Sequence, residues 1–196
     1  MKTEFYGQNL LFSYMSEEDL FSVCMMLEKR NVCEWLFFGP NSFDETNKYF
    51  KPLISSMKQD LLNNRPVNIP VFTIKDRRSG FFVGQCGLIP DGFCGDVYTI
   101  GYQLDDICWR RGFGTEACRF LIYYAFFVAK GRRLNGDCMA GNKGSQRIME
   151  KCGFKKEGLQ RDYCFKNGKY HDRIFYGLLK DCLDEDWQNI LISEFW

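Results

Sequence analysis

The chain has 196 residues and a mass of 23.1 kDa, with 45% hydrophobic and 26% charged residues and a formal net charge of +1 at pH 7. That length holds one domain with a substantial core and leaves little room for a second, and the composition excludes disordered, collagen-like and fibrous chains. Near-neutral charge supplies no global field for nucleic acid or an anionic membrane, and the longest apolar run, Phe120 to Ala129, falls well short of the roughly 20 residues of a membrane span.

Leu10 to Tyr14 suits a first strand. Ser16-Glu17-Glu18-Asp19 then offers an N-cap hydroxyl and acids for the opening turn of a helix. Ser42-Phe43-Asp44-Glu45 repeats the signal as a capping box leading a helix through Tyr49, Phe50, Leu53, Ile54 and Met57. Pro70 to Lys75 and Phe81 to Ile89 read as strands joined by the turn-rich Asp76-Arg77-Arg78-Ser79-Gly80, and Val97 to Leu104 follows to complete an antiparallel meander. A helix opens at Gly112-Phe113-Gly114-Thr115, and its Phe120, Tyr123, Tyr124, Phe126 and Phe127 recur at the spacing of a core-facing side. Leu134 to Met139 is a further strand and about Ser145 to Cys152 a short helix. A hairpin then turns at Asn167-Gly168, with arms Leu159 to Phe165 and Ile174 to Leu179. Residues 1–180 thus read as one α/β (α+β) domain around a single mixed sheet. Residues 181–196 form a helical extension with Trp187, Ile190, Leu191 and Phe195 along one apolar side, which caps the domain, self-association being the alternative.

Ten cysteines raise the question of staples or metal. Met1-Lys2-Thr3-Glu4-Phe5 carries no apolar signal region, so reduced thiols in a cytoplasmic protein are expected. No short-spaced cysteine pair exists and His171 is the only histidine, so no metal site is expected.

The chemistry concentrates in Leu104-Asp105-Asp106-Ile107-Cys108-Trp109-Arg110-Arg111-Gly112-Phe113-Gly114-Thr115-Glu116-Ala117, a strand end, a basic glycine loop and a helix start. Glycines let backbone N–H groups approach an anion, the helix N-terminus adds partial positive charge, and Arg110 and Arg111 add full charges, a combination suited to a diphosphate. A P-loop is excluded by spacing and by the missing lysine. Gly112-x-Gly114-x-x-Ala117 also matches a dinucleotide fingerprint, but a meander precedes it instead of repeated βαβ units. A tight strand-to-helix turn without a ligand is the remaining alternative.

The loop resembles the pyrophosphate-binding motif of the GNAT superfamily of N-acetyltransferases, Q/R-x-x-G-x-G/A, with Trp109 in first place as in the ribosomal-protein N-acetyltransferase (RimJ/RimL-like) branch. A second motif follows at the matching distance. Asn142-Lys143-Gly144-Ser145-Gln146-Arg147-Ile148-Met149-Glu150-Lys151-Cys152-Gly153-Phe154 is similar to the branch's N-x-x-S-x-x-x-x-E-K-x-G-F. Gly84-Gln85-Cys86-Gly87-Leu88, Ile100-Gly101-Tyr102, Glu157-Gly158 and Tyr170-His171-Asp172 are weaker echoes, and coverage runs from about residue 8 to 180.

The resemblance implies the acyl-CoA N-acyltransferase fold, a mostly antiparallel twisted sheet splayed between two parallel central strands, here Val97–Leu104 and Leu134–Met139, with acetyl-CoA in the splay. It implies backbone groups near Leu104 on the pantetheine amides, Arg110, Arg111, Gly112, Phe113, Gly114 and Thr115 around the pyrophosphate, and Asn142 and Ser145 beside the thioester. Asn142 also reads as an ordinary helix N-cap. Asp137 occupies the place where some members carry a glutamate base, with Asp162 as runner-up and a salt-bridged strand acid as the alternative. Met149 stands where many members carry a tyrosine acid, which leaves Ser145 to hydrogen-bond the departing sulfur. Cys138 reads as a core thiol. The implied activity is direct transfer of acetyl to a primary amine, a protein N-terminus or a small amine or antibiotic, by a monomer or homodimer. A non-catalytic CoA-binding or sensor domain of the same fold is the alternative.

Overall fold

Short β-branched and aromatic runs divided by turn residues pair mainly in chain order. In the computed structural model, which describes residues 2–195, β1 (Glu4–Tyr6), β2 (Leu10–Tyr14), β3 (Val71–Asp76), β4 (Phe82–Pro90) and β5 (Val97–Leu104) form the antiparallel meander. β6 (Arg133–Met139) joins β5 in parallel after a helical crossover. The hairpin of β7 (Lys155–Lys166) and β8 (Lys169–Leu179) closes the sheet, with β8 between β6 and β7.

Alternation along the strands sorts the helices onto two faces. Phe72 and Ile74 of β3 face the layer of α4 (Phe113–Tyr123), α5 (Lys143–Lys151) and α6 (Glu185–Phe195), where Phe12 stacks on Phe120 with centroids 4.0 Å apart. Val71 faces the second core under α1 (Leu20–Leu27), α2 (Arg30–Cys33) and α3 (Phe43–Leu62). α3 starts on the expected capping box: Ser42 Oγ accepts from Glu45 N at 3.2 Å, and Glu45 Oε2 accepts from Ser42 N at 2.7 Å. α6 buries Leu191 and Phe195 in the first core, Phe195 packing against Phe12, Phe120 and Tyr123.

The expected strand Val97–Leu104 is found with those bounds, and β1 and α2 are additions to the expected order. The last hairpin turns where expected but its arms are longer. Register shifts between Lys156 and Gly158 and between Gln160 and Cys164 break the alternation that marks a strand. All ten cysteines are free and seven are buried. Among the described residues no helix is long and apolar enough to cross a membrane and no three metal-ligating side chains cluster.

Candidate active site

β5 and β6 share only three parallel rungs, Val97 with Arg133, Tyr98 with Leu134 and Thr99 with Asn135, and then diverge. Asp105 N–H bonds to Val83 O on the β4 side. By strand alternation the backbone groups of Leu104, Tyr102 and Ile100 therefore point away from β4 into the gap. Trp109 Nε1–H donates to Leu104 O at 2.9 Å, folding the basic loop against the strand end.

The loop is built on two left-handed residues, Arg110 at φ 60° and Gly112 at φ 83°, the latter the N-cap of α4. Such a bend turns successive N–H groups inward, and the helix N-terminus reinforces it. Arg110 and Arg111 are exposed and form no ion pair among the described residues, although the Arg111 guanidinium lies 4.7 Å from the Phe113 ring centroid. Gly114 serves packing as well: a Cβ there would fall 2.6 Å from Ile148 Cδ1, so the glycine brings α4 close to α5. Thr115 is half-buried, and its carbonyl accepts from Cys152 Sγ at 3.7 Å. The next motif residue, Glu116, is buried. Its carboxylate accepts from Asn9 N, Asn9 Nδ2 and Leu10 N at 2.8 to 3.0 Å, tying α4 to the first hairpin.

Asn142 caps α5, its Oδ1 accepting from Ser145 N at 3.0 Å. Ser145 Oγ lies 3.1 Å from Tyr102 Oη of β5, so the two walls of the gap meet there. Cys138 is buried beside Ser145, and burial pushes its thiol up to about 11. Met149 packs inward, its Sδ 2.6 Å from where a Cβ on Gly136 would lie. Glu150 Oε1 accepts from Tyr176 Oη at 2.9 Å, so this motif acid braces α5 on β8.

Asp137 points to the opposite face, where a cavity of about 390 Å³ is lined by Thr99, Asn135, Asp137, Glu157, Arg173 and Phe175, among others. Asp137 Oδ2 accepts from Arg173 Nε, while Oδ1 makes no hydrogen bond among the described residues. The Arg173 guanidinium lies 4.5 Å from the Tyr163 and Phe175 centroids and 5.6 Å from that of Phe37. Arg133 pairs with Glu157 in the same way. Asp162, the other expected acid, is exposed on the β7 bulge at φ 50°.

The loop after α2 forms the outer wall. Trp35 covers Gly141 too closely for any Cβ there, and Phe37 meets Tyr163 edge-on at 5.3 Å. Lys166, at the tip of the hairpin, donates to the carbonyls of Cys33, Leu36 and Phe38, each at 2.7 Å. Lys29 Nζ ties the other end, bonding Asp105 at 2.8 Å and Asp106 at 2.9 Å. Sequence reading did not find Trp35, Phe37, Lys166 or Arg173 as site residues. The run Trp35-Leu36-Phe37-Phe38 beside a proline was the available signal.

A mixed sheet that opens between two parallel central strands, with a basic glycine loop and a capped helix at the mouth, is the architecture of an acyl-CoA N-acyltransferase. The family model described as "Acetyltransferase (GNAT) domain" matches residues 9–155. The chain is 35% identical over 164 residues to "Putative ribosomal N-acetyltransferase YdaF" of Bacillus subtilis, a match covering 78% of this chain and 80% of that one. Its fold is similar to that of RimL, a ribosomal L7/L12 alpha-N-protein acetyltransferase solved with coenzyme A (TM-score 0.75, 18% identity, 91% of this chain and 98% of that chain). It is also similar to spermidine N-acetyltransferase from Vibrio cholerae solved with CoA and spermine (TM-score 0.74, 20% identity, 88% and 96%). The chain belongs to the GNAT family and is an N-acetyltransferase.

Proposed function

We propose that this enzyme transfers acetyl from acetyl-CoA to a primary amine, the α-amine of a protein or peptide N-terminus. The observation that carries the reading is the early end of the β5–β6 ladder, which leaves strand backbone facing a gap whose mouth is a cationic left-handed loop. The amides of a pantetheine arm suit those backbone groups, Arg110 to Thr115 suit a diphosphate, and Asn142 and Ser145 flank the thioester. The similarity to a spermidine N-acetyltransferase and to a ribosomal-protein N-acetyltransferase, both solved with CoA, supports this assignment. Residues 1–180 carry the activity and the helix Glu185–Phe195 braces them.

The acceptor enters from the Asp137 face. An α-amine with a pKa near 8 needs only roughly 1.4 kcal/mol to become neutral at pH 7, whereas a lysine-like amine needs about 4 to 5. Asp137 Oδ1, directly or through water, takes that proton. The nitrogen lone pair forms the new C–N bond, the C–S pair stays on sulfur, and the Ser145 hydroxyl donates a hydrogen bond to it. Both carboxylates of the cavity, Asp137 and Glu157, are already paired with arginines, so the wall has no surplus negative charge for a polyamine.

Calorimetric titration with acetyl-CoA, followed by CoA-release assays with peptides bearing free N-termini, spermidine and an aminoglycoside, tests the reading. Peptides should turn over best. Absence of acetyl-CoA binding overturns the reading, and spermidine as the better acceptor overturns the choice of amine.

A further inference from the structure

A phenol reaches the gap from the β5 wall. Tyr102 Oη and Ser145 Oγ, 3.1 Å apart, form the one side-chain hydrogen bond between β5 and α5 among the described residues. We propose that Tyr102 is a positioning residue, which sets the direction of the Ser145 proton and so aims it at the sulfur of the bound thioester. The proposal rests on the reading of Ser145 as the donor to sulfur.

Two hydroxyls in contact must divide the roles of donor and acceptor. Tyr102 lies among the thiols of Cys118 on α4, Cys138 on β6 and Cys152 at the end of α5, and burial there keeps its phenol protonated. A phenol is the more acidic partner and an aliphatic hydroxyl the better acceptor, so Tyr102 donates and Ser145 Oγ accepts. Ser145 is then held twice, its N–H by Asn142 Oδ1 at 3.0 Å and its Oγ by Tyr102. Its own O–H then points away from the phenol, and Cys138 Sγ lies within its reach. The ionisable groups acting on that side are Asp137, Lys143 and Glu150 together with Cys138 itself. Without the phenol, the serine hydroxyl is free to turn back onto a helix carbonyl, as serines in helices do.

No proton crosses this pair during transfer. The nitrogen gives its proton to Asp137 or water, the C–S electrons remain on sulfur, and sulfur leaves as a thiolate that accepts from Ser145 O–H. Tyr102 keeps its proton throughout. A hydrogen bond to a charged acceptor is stronger than one to a neutral acceptor, so an aimed serine favours the thiolate over the thioester.

The probe is CoA alone, which makes the test independent of the acceptor. In a Cys94→Ser/Cys182→Ser background, which removes the two exposed thiols, ultraviolet thiolate absorbance of loaded minus free protein gives the pKa of the bound CoA thiol. The bound thiol should titrate below the value of about 8.5 for a free thiol, and Tyr102→Phe and Ser145→Ala should each raise it by about one pH unit. Adding Tyr102→Phe to Ser145→Ala should raise it no further, since the phenol acts through the serine. A Tyr102→Phe thiol pKa within about 0.2 of the parent overturns the proposal, and so does an equal rise with and without Ser145, which would mark a merely structural role. If Tyr102→Phe does not fold, an unchanged thiol pKa in Ser145→Ala overturns it from the other side of the bond. Failure of the parent to bind CoA is a distinct result that overturns the proposed function, and this inference with it.

Discussion

Replacing Gly112 by alanine perturbs the basic loop without touching a neighbour. The residue sits at φ 83° and ψ −11°, and a Cβ built on it meets nothing within 4 Å. The effect is therefore conformational. An L-residue in the left-handed region costs about 1–2 kcal/mol, and the stiffer unfolded chain offsets roughly 0.4–1 kcal/mol of that, so the melting temperature should move little. The free loop can escape the strain by rotating to negative φ, which swings the N–H groups at the start of α4 out of place. Rebuilding the cradle around a diphosphate restores the strain, so the about 1–2 kcal/mol reappears as roughly 5- to 30-fold weaker CoA binding. Valine, stiff at its β-carbon, should be worse than alanine, and asparagine, which tolerates this region, better. Calorimetry with CoA measures the series, with pantetheine, which lacks the diphosphate, as control. CoA affinity within twofold of the parent for Gly112→Val, or equal losses for asparagine and valine, would refute the reasoning.

Asp137→Asn should lower kcat toward the peptide acceptor by about a hundredfold; a rate unaffected across pH 6 to 9 ends its candidacy as base. Lys166→Met removes three charge-assisted bonds to the loop after α2, and should cost about 2 kcal/mol by thermal unfolding and speed proteolysis between Cys33 and Asn41; an unchanged melting temperature would show that water replaces them. A disulfide-exchange reagent should find the exposed thiols of Cys94 and Cys182 first, the partly buried Cys164 more slowly, and all ten only after denaturation. Asp19 is held below the ordinary carboxyl value of 3.8. Burial opposes this, but hydrogen bonds from Ser16 and the Lys75 ammonium outweigh it. Its stabilisation is thus complete above pH 3.8 and lost as pH falls through the lower folded value, so Asp19→Asn should destabilise at neutral pH and flatten the acid limb of a stability curve.

Local signals were the most legible. The Ser42 capping box, the Asn167-Gly168 turn and the β5 bounds all depend on neighbours a few residues apart, and the two motifs that mark the family lie in contiguous runs. Partnerships across the chain were not legible. Lys166 reaches Cys33 from 133 positions away and Tyr102 meets Ser145 from 43, while Arg173 claims Asp137 from the neighbouring strand. Glu116 and Glu150 stand in the motifs, yet structural work explains them, one holding the turn before β2 and the other a tyrosine of β8. Gly114 carries a similar lesson. A glycine in a phosphate-type loop suggests ligand approach, and here the room it leaves is also taken by Ile148.

The three-rung ladder also bears on solubility. Beyond Thr99 and Asn135, two strands in the middle of the sheet each present a free edge, the feature that most readily recruits foreign strands in aggregation. This protein keeps that edge in its interior, roofed by α5 and bolted by Tyr102 and Ser145. A slender extended molecule can complete the sheet there.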